Sequence, residues 1–167
     1  MVMPGEHAIT VRAASEADRA AAVAFISPAA PRGRASLALL RVGQGLLWVA
    51  VEDEREHEKL VGLLLATAQI DAESEHPAGY IQELLVHPAY RRLGVAMHLL
   101  DAAERFFLAE QGFSQVYLAT SPDNEAALHL YRSRGYSVEQ VRLTKARIAT
   151  GGHGDRTARE EHPPDAR

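Results

Sequence analysis

Residues 84–107 read LLVHPAYRRLGVAMHLLDAAERFF, and the turn in the middle of this stretch decides how the rest of the chain is read. An apolar run ends at His87-Pro88, where a proline cannot donate to a strand ladder. From Val95 onward, Val95, Leu99, Ala103 and Phe106, joined by Ala96, Leu100 and Phe107, recur at helical spacing, which predicts an amphipathic helix ending near Gly112. Such a helix exposes unpaired backbone N–H groups and the positive end of its dipole at its start. Gly94 allows an anion close to the backbone, and Arg91 and Arg92 can add charge-assisted hydrogen bonds. Phosphate, and above all pyrophosphate, suits that corner. For the short pattern alone, a solvated arginine pair beside a turn is the better explanation, so the decision passes to the rest of the chain.

Outward from this stretch the elements alternate. Ile9 and Val11 alternate with Thr10 and Arg12 as in a strand, and Ser15-Glu16-Ala17-Asp18 offers a capping-box-like start to an alanine-rich helix. The stretch SPAAPRGRAS, 27–36, reads as a loop, followed by a short helix over Leu37 to Val42. LLWVAVED and KLVGLLLATAQI read as two strands, with the charged patch from Glu52 to Lys59 as hairpin turn and polar tip. An acidic turn, DAESEHPAG, leads into the strand YIQELLVH. Beyond the central helix, QVYLAT predicts a strand, SPDN a turn, EAALHLYRSR a helix stopped by Gly135, and YSVEQVRLTKARI a last strand. The Gly/Pro-rich, mixed-charge end, residues 150–167, lacks apolar anchors and reads as a disordered tail behind a single domain over residues 1–149.

Composition narrows the function classes. A chain of 167 residues with 24% charged residues fits one globular domain. The formal charge of −4 argues against a general polyanion binder, and there is neither a basic stripe nor aromatic interleaving, so no nucleic-acid partner is expected. The absence of cysteine excludes disulfides, thiolate metal sites and a Cys nucleophile. His87, His98 and His129 show no metal-ligand spacing, and no metal is expected. No signal peptide and no membrane-length apolar run are read, so a cytoplasmic protein without a membrane partner is expected.

The segment LLVHPAYRRLGVAMHLLDAAERFF resembles the acetyl-CoA-binding segment of the GNAT acetyltransferase superfamily. The family's Arg/Gln-x-x-Gly-x-Gly/Ala pattern is met by Arg91, Gly94 and Ala96. A second likeness lies in NEAALHLYRSRGY, where an Asn opens a helix, a Tyr follows seven residues on, and Gly-aromatic closes it. Together with ITVRAASEAD the likeness extends from about Ile9 to Arg147.

The resemblance implies an α/β fold with a strongly twisted, mostly antiparallel mixed sheet, a central parallel strand pair splayed apart, and helices on both faces. It implies an N-acetyltransferase that moves an acetyl group from acetyl-CoA to a primary amine by direct attack in a ternary complex. The backbone of Leu85, Val86 and His87 would hydrogen-bond the pantetheine arm. Arg91, Arg92, Leu93, Gly94, Val95 and Ala96 would wrap the pyrophosphate. Asn124 would contact the cofactor near the thioester, and Tyr131 would protonate the departing thiolate. Seven residues make almost two helical turns, so Asn124 and Tyr131 share a face. Without the motif, Tyr131 reads as a core aromatic and Asn124 as an N-cap, and Asn124 can serve as cap and ligand together.

The attacking amine must lose a proton, and Glu83 is the candidate base. Strand alternation puts it on a face with Ile81 and Leu85, opposite Gln82, Leu84 and Val86, where apolar neighbours would desolvate it and raise its pKa. Pairing with Arg12 or Arg142 is an equal alternative, and Gln82 occupies a neighbouring slot where some family members carry Glu. Arg32 and Arg34 in one loop, and Asp71, Glu73 and Glu75 in another, flank the expected acceptor site. Acidic residues at its mouth would steer a cationic amine, although each alone reads as hairpin-tip solvation. A small-molecule amine such as an amino acid, polyamine or antibiotic ranks ahead of a protein N-terminus or lysine. A non-catalytic acyl-CoA-binding regulatory module is the rival of another class, disfavoured by the retention of Tyr131 with Asn124. The resemblance also admits a homodimer, which no sequence feature establishes.

Overall fold

The computed structural model describes residues 8–29, 36, 38, 43–54, 57–71 and 74–139. Strand β1, Ile9–Ala13, leads into helix α1, Glu16–Ala29. Strands β2, Leu46–Glu54, β3, His57–Ile70, and β4, Pro77–Val86, follow as a meander. A single 3₁₀ turn, Pro88–Tyr90, leads to helix α2, Val95–Glu104, then strand β5, Gln115–Leu118, and helix α3, Glu125–Ser133. The sheet runs β1-β2-β3-β4-β5, antiparallel except for the parallel pair β4–β5. The expected mixed α/β architecture is present.

Two apolar clusters sandwich the sheet. On one face Val95, Leu99, Leu100 and Ala103 of α2 pack with Trp48, Ala50, Leu64, Ala66 and Ile81. On the other, Ala22 and Ile26 of α1 pack with Leu47, Val49, Val51, Leu63 and Leu65. The alternation of Leu63, Leu64, Leu65 and Ala66 between the two clusters shows why β3 reads as a continuous apolar run: both of its faces are covered. Beyond Glu104 the helix widens into a π-turn over Arg105–Glu110, with the Gln111 N–H bonding the Phe106 carbonyl at 2.9 Å. There Phe107 is fully buried over Gly79, where an added Cβ would lie 2.5 Å from its ring.

Several boundaries differ from the sequence reading. The strands of the β2–β3 hairpin extend into the charged patch, pairing Glu52 with Lys59 and Glu54 with His57, because paired backbone accepts charged side chains on an open face. Helix α1 continues through Ser27 and Pro28, its far half anchored by the buried Ile26. Strand β4 begins at Pro77, three residues earlier than expected, because Ala78 and Gly79 pair on both sides. At the last expected strand, residues 136–139 form no regular element, and the remainder lies outside the described residues. Of the short helix expected over residues 37–42 only Ala38 is described, and it is helical; the tail over residues 150–167 lies outside the described residues.

Candidate functional site at the open end of the parallel strand pair

Strand β5 pairs with β4 from Ala78↔Gln115 to Ile81↔Leu118 and then ends, while β4 continues to Val86. Over residues 82–86 the edge of β4 that faces away from β3 therefore has no strand partner among the described residues. Which backbone groups point there follows from the β3 ladder. The His87 N–H donates to the Val61 carbonyl at 2.8 Å, and Val86 and Leu85 stand opposite Gly62 and Leu63. Antiparallel alternation then turns the N–H and C=O of Val86 and Leu84 into the open edge. The Arg91 Nε donates to the Val86 carbonyl at 3.4 Å from that side. Of the three expected strand residues, Val86 thus faces the gap, while Leu85 and His87 direct their backbone groups to β3. Leu84, which the sequence reading passed over, takes the second outward position.

The end of β4 turns sharply into the arginine segment. The His87 Nδ1 accepts the Ala89 N–H at 3.3 Å, and the Tyr90 N–H donates to the His87 carbonyl at 2.8 Å. Arg92 and Gly94 have φ of 66° and 82°, left-handed conformations that fold the loop back over the start of α2. Gly94 holds the N-cap position, and α2 has no side-chain cap. Its first N–H groups therefore lack the usual Ser, Thr or Asp acceptor, and Arg91 and Arg92, just before it in the chain, are exposed. Tyr90 pins the loop to β2: its hydroxyl donates to the Glu52 carboxylate, and the Lys59 ammonium lies 5.5 Å from the centre of its ring. Neither Glu52 nor Tyr90 was singled out from the sequence. The residues lie 38 positions apart, so no local pattern connects them.

Asn124 caps α3, its Oδ1 accepting the Ala127 N–H at 3.2 Å. Tyr131, two turns on, packs like Leu84, Val86 and Leu118 against the apolar cluster that includes Val95 and Leu99. Burial raises the pKa of its phenol above the ordinary tyrosine value. The Tyr136 ring lies edge-on to it at 5.7 Å, and the Tyr136 hydroxyl donates to Glu104 at 3.0 Å. Burial and then the Glu104 carboxylate push Tyr136 up as well. Arg134 closes the corner, reaching Glu104 at 2.5 Å and Asp101 at 2.6 Å.

Glu83 requires a correction to the expected pattern. The β3–β4 register steps from Leu65↔Glu83 to Ala66↔Ile81, which leaves Gln82 as the extra residue of a bulge. Ile81 consequently packs in the α2-side cluster and does not share a face with Glu83, while Leu85 packs in the α1-side cluster with Leu63 and Leu65. Glu83, opposite Leu65, thus belongs to the α1-side face, whereas Tyr131 packs against the α2-side cluster. Arg12 pairs with Asp18 and Glu58, and the Glu83 carboxylate accepts the Ser36 hydroxyl at 2.8 Å. Arg142, Arg32, Arg34 and Glu73 lie outside the described residues. Asp71 is occupied in the β3–β4 turn, accepting the Ser74 N–H at 2.6 Å and the Tyr117 hydroxyl.

Comparison with known proteins bears on the family and the fold. Residues 13–136 match the model of the acetyltransferase (GNAT) family. Among curated proteins, the N-alpha-acetyltransferase daf-31 of Caenorhabditis elegans is 36% identical over 74 residues, which are 44% of this chain and 40% of that protein. The N-terminal acetyltransferase A complex catalytic subunit ard1 of Schizosaccharomyces pombe is 32% identical over 74 residues, 44% of this chain and 42% of that protein. The matched stretch thus spans about two fifths of these relatives. Among solved structures, the aminoglycoside N-acetyltransferase AAC(6')-Iy in complex with CoA superposes with a TM-score of 0.70 at 18% identity, covering 88% of this chain and 100% of that one. A Trypanosoma brucei acetyltransferase gives a TM-score of 0.66 at 18% identity, over 84% and 100%. At such identities the likeness establishes the shared fold.

Proposed function

The chain belongs to the GNAT acetyltransferase family, and on that premise we propose that it moves the acetyl group of acetyl-CoA to a primary amine by direct attack within a ternary complex. The observation that carries the reading is the open edge of β4, with the outward backbone of Leu84 and Val86, running into the uncapped start of α2 beside Arg91 and Arg92. Backbone donors and acceptors in a row suit an amide-bearing pantetheine arm. The α2 N-terminus suits the pyrophosphate at its end. Leu85 and His87 support this slot from the β3 side, and Leu93, Val95 and Ala96 line the turn that wraps the phosphates.

In this reading Glu83 takes a proton from the ammonium of the acceptor, leaving a lone pair on nitrogen. Nitrogen attacks the thioester carbon, forming the N–C bond, and collapse of the tetrahedral adduct breaks the C–S bond. Tyr131 gives its proton to the leaving sulfur and recovers one from the acylated nitrogen. The sum is ammonium plus thioester giving amide, thiol and one proton, which Glu83 returns to solvent. Asn124, capping α3, holds the helix that presents Tyr131 and contacts the donor near its thioester.

For the acceptor we favour a small-molecule amine, in keeping with the fold shared with aminoglycoside acetyltransferases. A protein N-terminus is the second reading, favoured by the sequence relatives named for N-terminal acetylation. Among the described residues no helix is long and apolar enough to cross a membrane, and we propose a cytoplasmic location where acetyl-CoA is supplied. The test is calorimetric titration with acetyl-CoA, followed by thiol release across amino acids, polyamines, aminoglycosides and short peptides with free N-termini. One-site saturable binding with thiol release to an amine supports the proposal. A folded protein that does not bind acetyl-CoA overturns it.

A further inference from the structure

Ser36 is 4% exposed, and its hydroxyl donates to Glu83 across 47 residues of sequence. A buried hydroxyl without a hydrogen bond is costly, and an alanine would fill the same space with no such demand. The hydroxyl therefore serves its partner. A carboxylate oxygen accepts hydrogen bonds, and the Ser36 hydroxyl donates one to the Glu83 Oε1. The neighbouring amide does not compete for Glu83: Gln82 donates its Nε2 to the Thr67 hydroxyl at 3.2 Å. Among the described residues, Ser36 supplies the hydrogen bond that Glu83 receives.

A glutamate on a strand has three side-chain torsions, and one anchored oxygen restricts them together. We propose that Ser36 is the positioning residue of the base: it ties one oxygen of Glu83 to the connection between α1 and β2 and leaves the other to take the proton of the attacking amine. The inference rests on the reading of Glu83 as that base.

The experiment is a double-mutant cycle in the full chain, reading kcat and both KM values for wild type, Ser36→Ala, Glu83→Gln and the double variant. Ser36→Ala is expected to lower kcat about tenfold with the acetyl-CoA KM unchanged, as loss of orientation predicts. Glu83→Gln should cost about a hundredfold, in the range of a lost general base. The double variant should be no slower than Glu83→Gln alone, and Ser36→Thr, which keeps the hydroxyl, should restore most of the rate. A double variant slowed by the product of the two losses would show that Ser36 acts independently of Glu83 and overturn the inference. Wild-type kcat in Ser36→Ala beside an impaired Glu83→Gln overturns it while leaving the base in place. Wild-type kcat in Glu83→Gln removes the base and the inference with it. Should Ser36→Ala fail to fold, the isosteric Ser36→Cys, a weak donor, carries the same comparison.

Discussion

Tyr131 can act as an acid only while its phenol carries a proton, and burial raises its pKa. The protonated form is the neutral one, so desolvation keeps it populated through the neutral range and beyond the ordinary tyrosine value of about 10. Tyr131→Phe is expected to lower kcat at least about tenfold and leave the calorimetric affinity for acetyl-CoA within about twofold. Unchanged turnover would remove Tyr131 as the acid, and no alkaline loss of activity attributable to it is expected below pH 10. Gly94 works through the backbone. An added Cβ would meet only the His98 ring at 3.8 Å, an ordinary contact, so space does not restrict the position. Its φ of 82° does, because a β-branched residue cannot hold that conformation without strain. Gly94→Val should therefore reshape the first turn of α2 and weaken acetyl-CoA binding at least about tenfold, read by the same titration. Retained affinity would move the phosphate site elsewhere.

At the level of elements, α3 is held against α2 by Arg134, whose side chain is 16% exposed and reaches both Glu104 and Asp101. Among the described residues Arg134→Ala leaves Glu104 with only the Tyr136 hydroxyl and should destabilise the fold by about 2 kcal/mol, measured by denaturant unfolding. Loosening α3 should also lower kcat more than it raises the acetyl-CoA KM, since Tyr131 rides on that helix. Most elements were legible in the sequence because their apolar periodicity is local: the α2 stripe, the continuous β3 run and the Asn124 cap each announce themselves within a few residues. The bulge at Gln82 was not. Whether a strand carries an extra residue depends on its register against a neighbour, so alternation alone assigned Ile81 to the wrong face. Ser36 escaped for a related reason, as nothing near it in sequence indicates a carboxylate 47 residues away. The two arginines and Gly94 could be singled out as candidates because they are nearly consecutive and stand at a helix start.

Across the whole molecule, one ion pair ties the first strand to the first helix. Arg12 reaches Asp18 at 2.7 Å, and this pair, with the hydrogen bonds from Ser15, holds the Asp18 carboxyl well below the usual carboxylate range. A depressed pKa contributes stability that is present above the unfolded value of about 4 and is lost as pH falls toward the folded one. Asp18→Asn should cost about 1–2 kcal/mol at neutral pH, discounted for partial exposure of the pair. The gap to wild type should close steadily as unfolding is repeated below pH 4; a constant gap would assign the effect to packing. The parting of β4 from β5 has a different reach. A lone strand edge ordinarily invites another protein strand, which is how sheets polymerise. Here, among the described residues, the open stretch covers only residues 82–86, because the same strand is paired with β5 from Ala78 to Ile81. An edge that short offers an incoming protein strand few ladder hydrogen bonds, so the early end of β5 leaves polar backbone available without presenting a full edge to sheet growth.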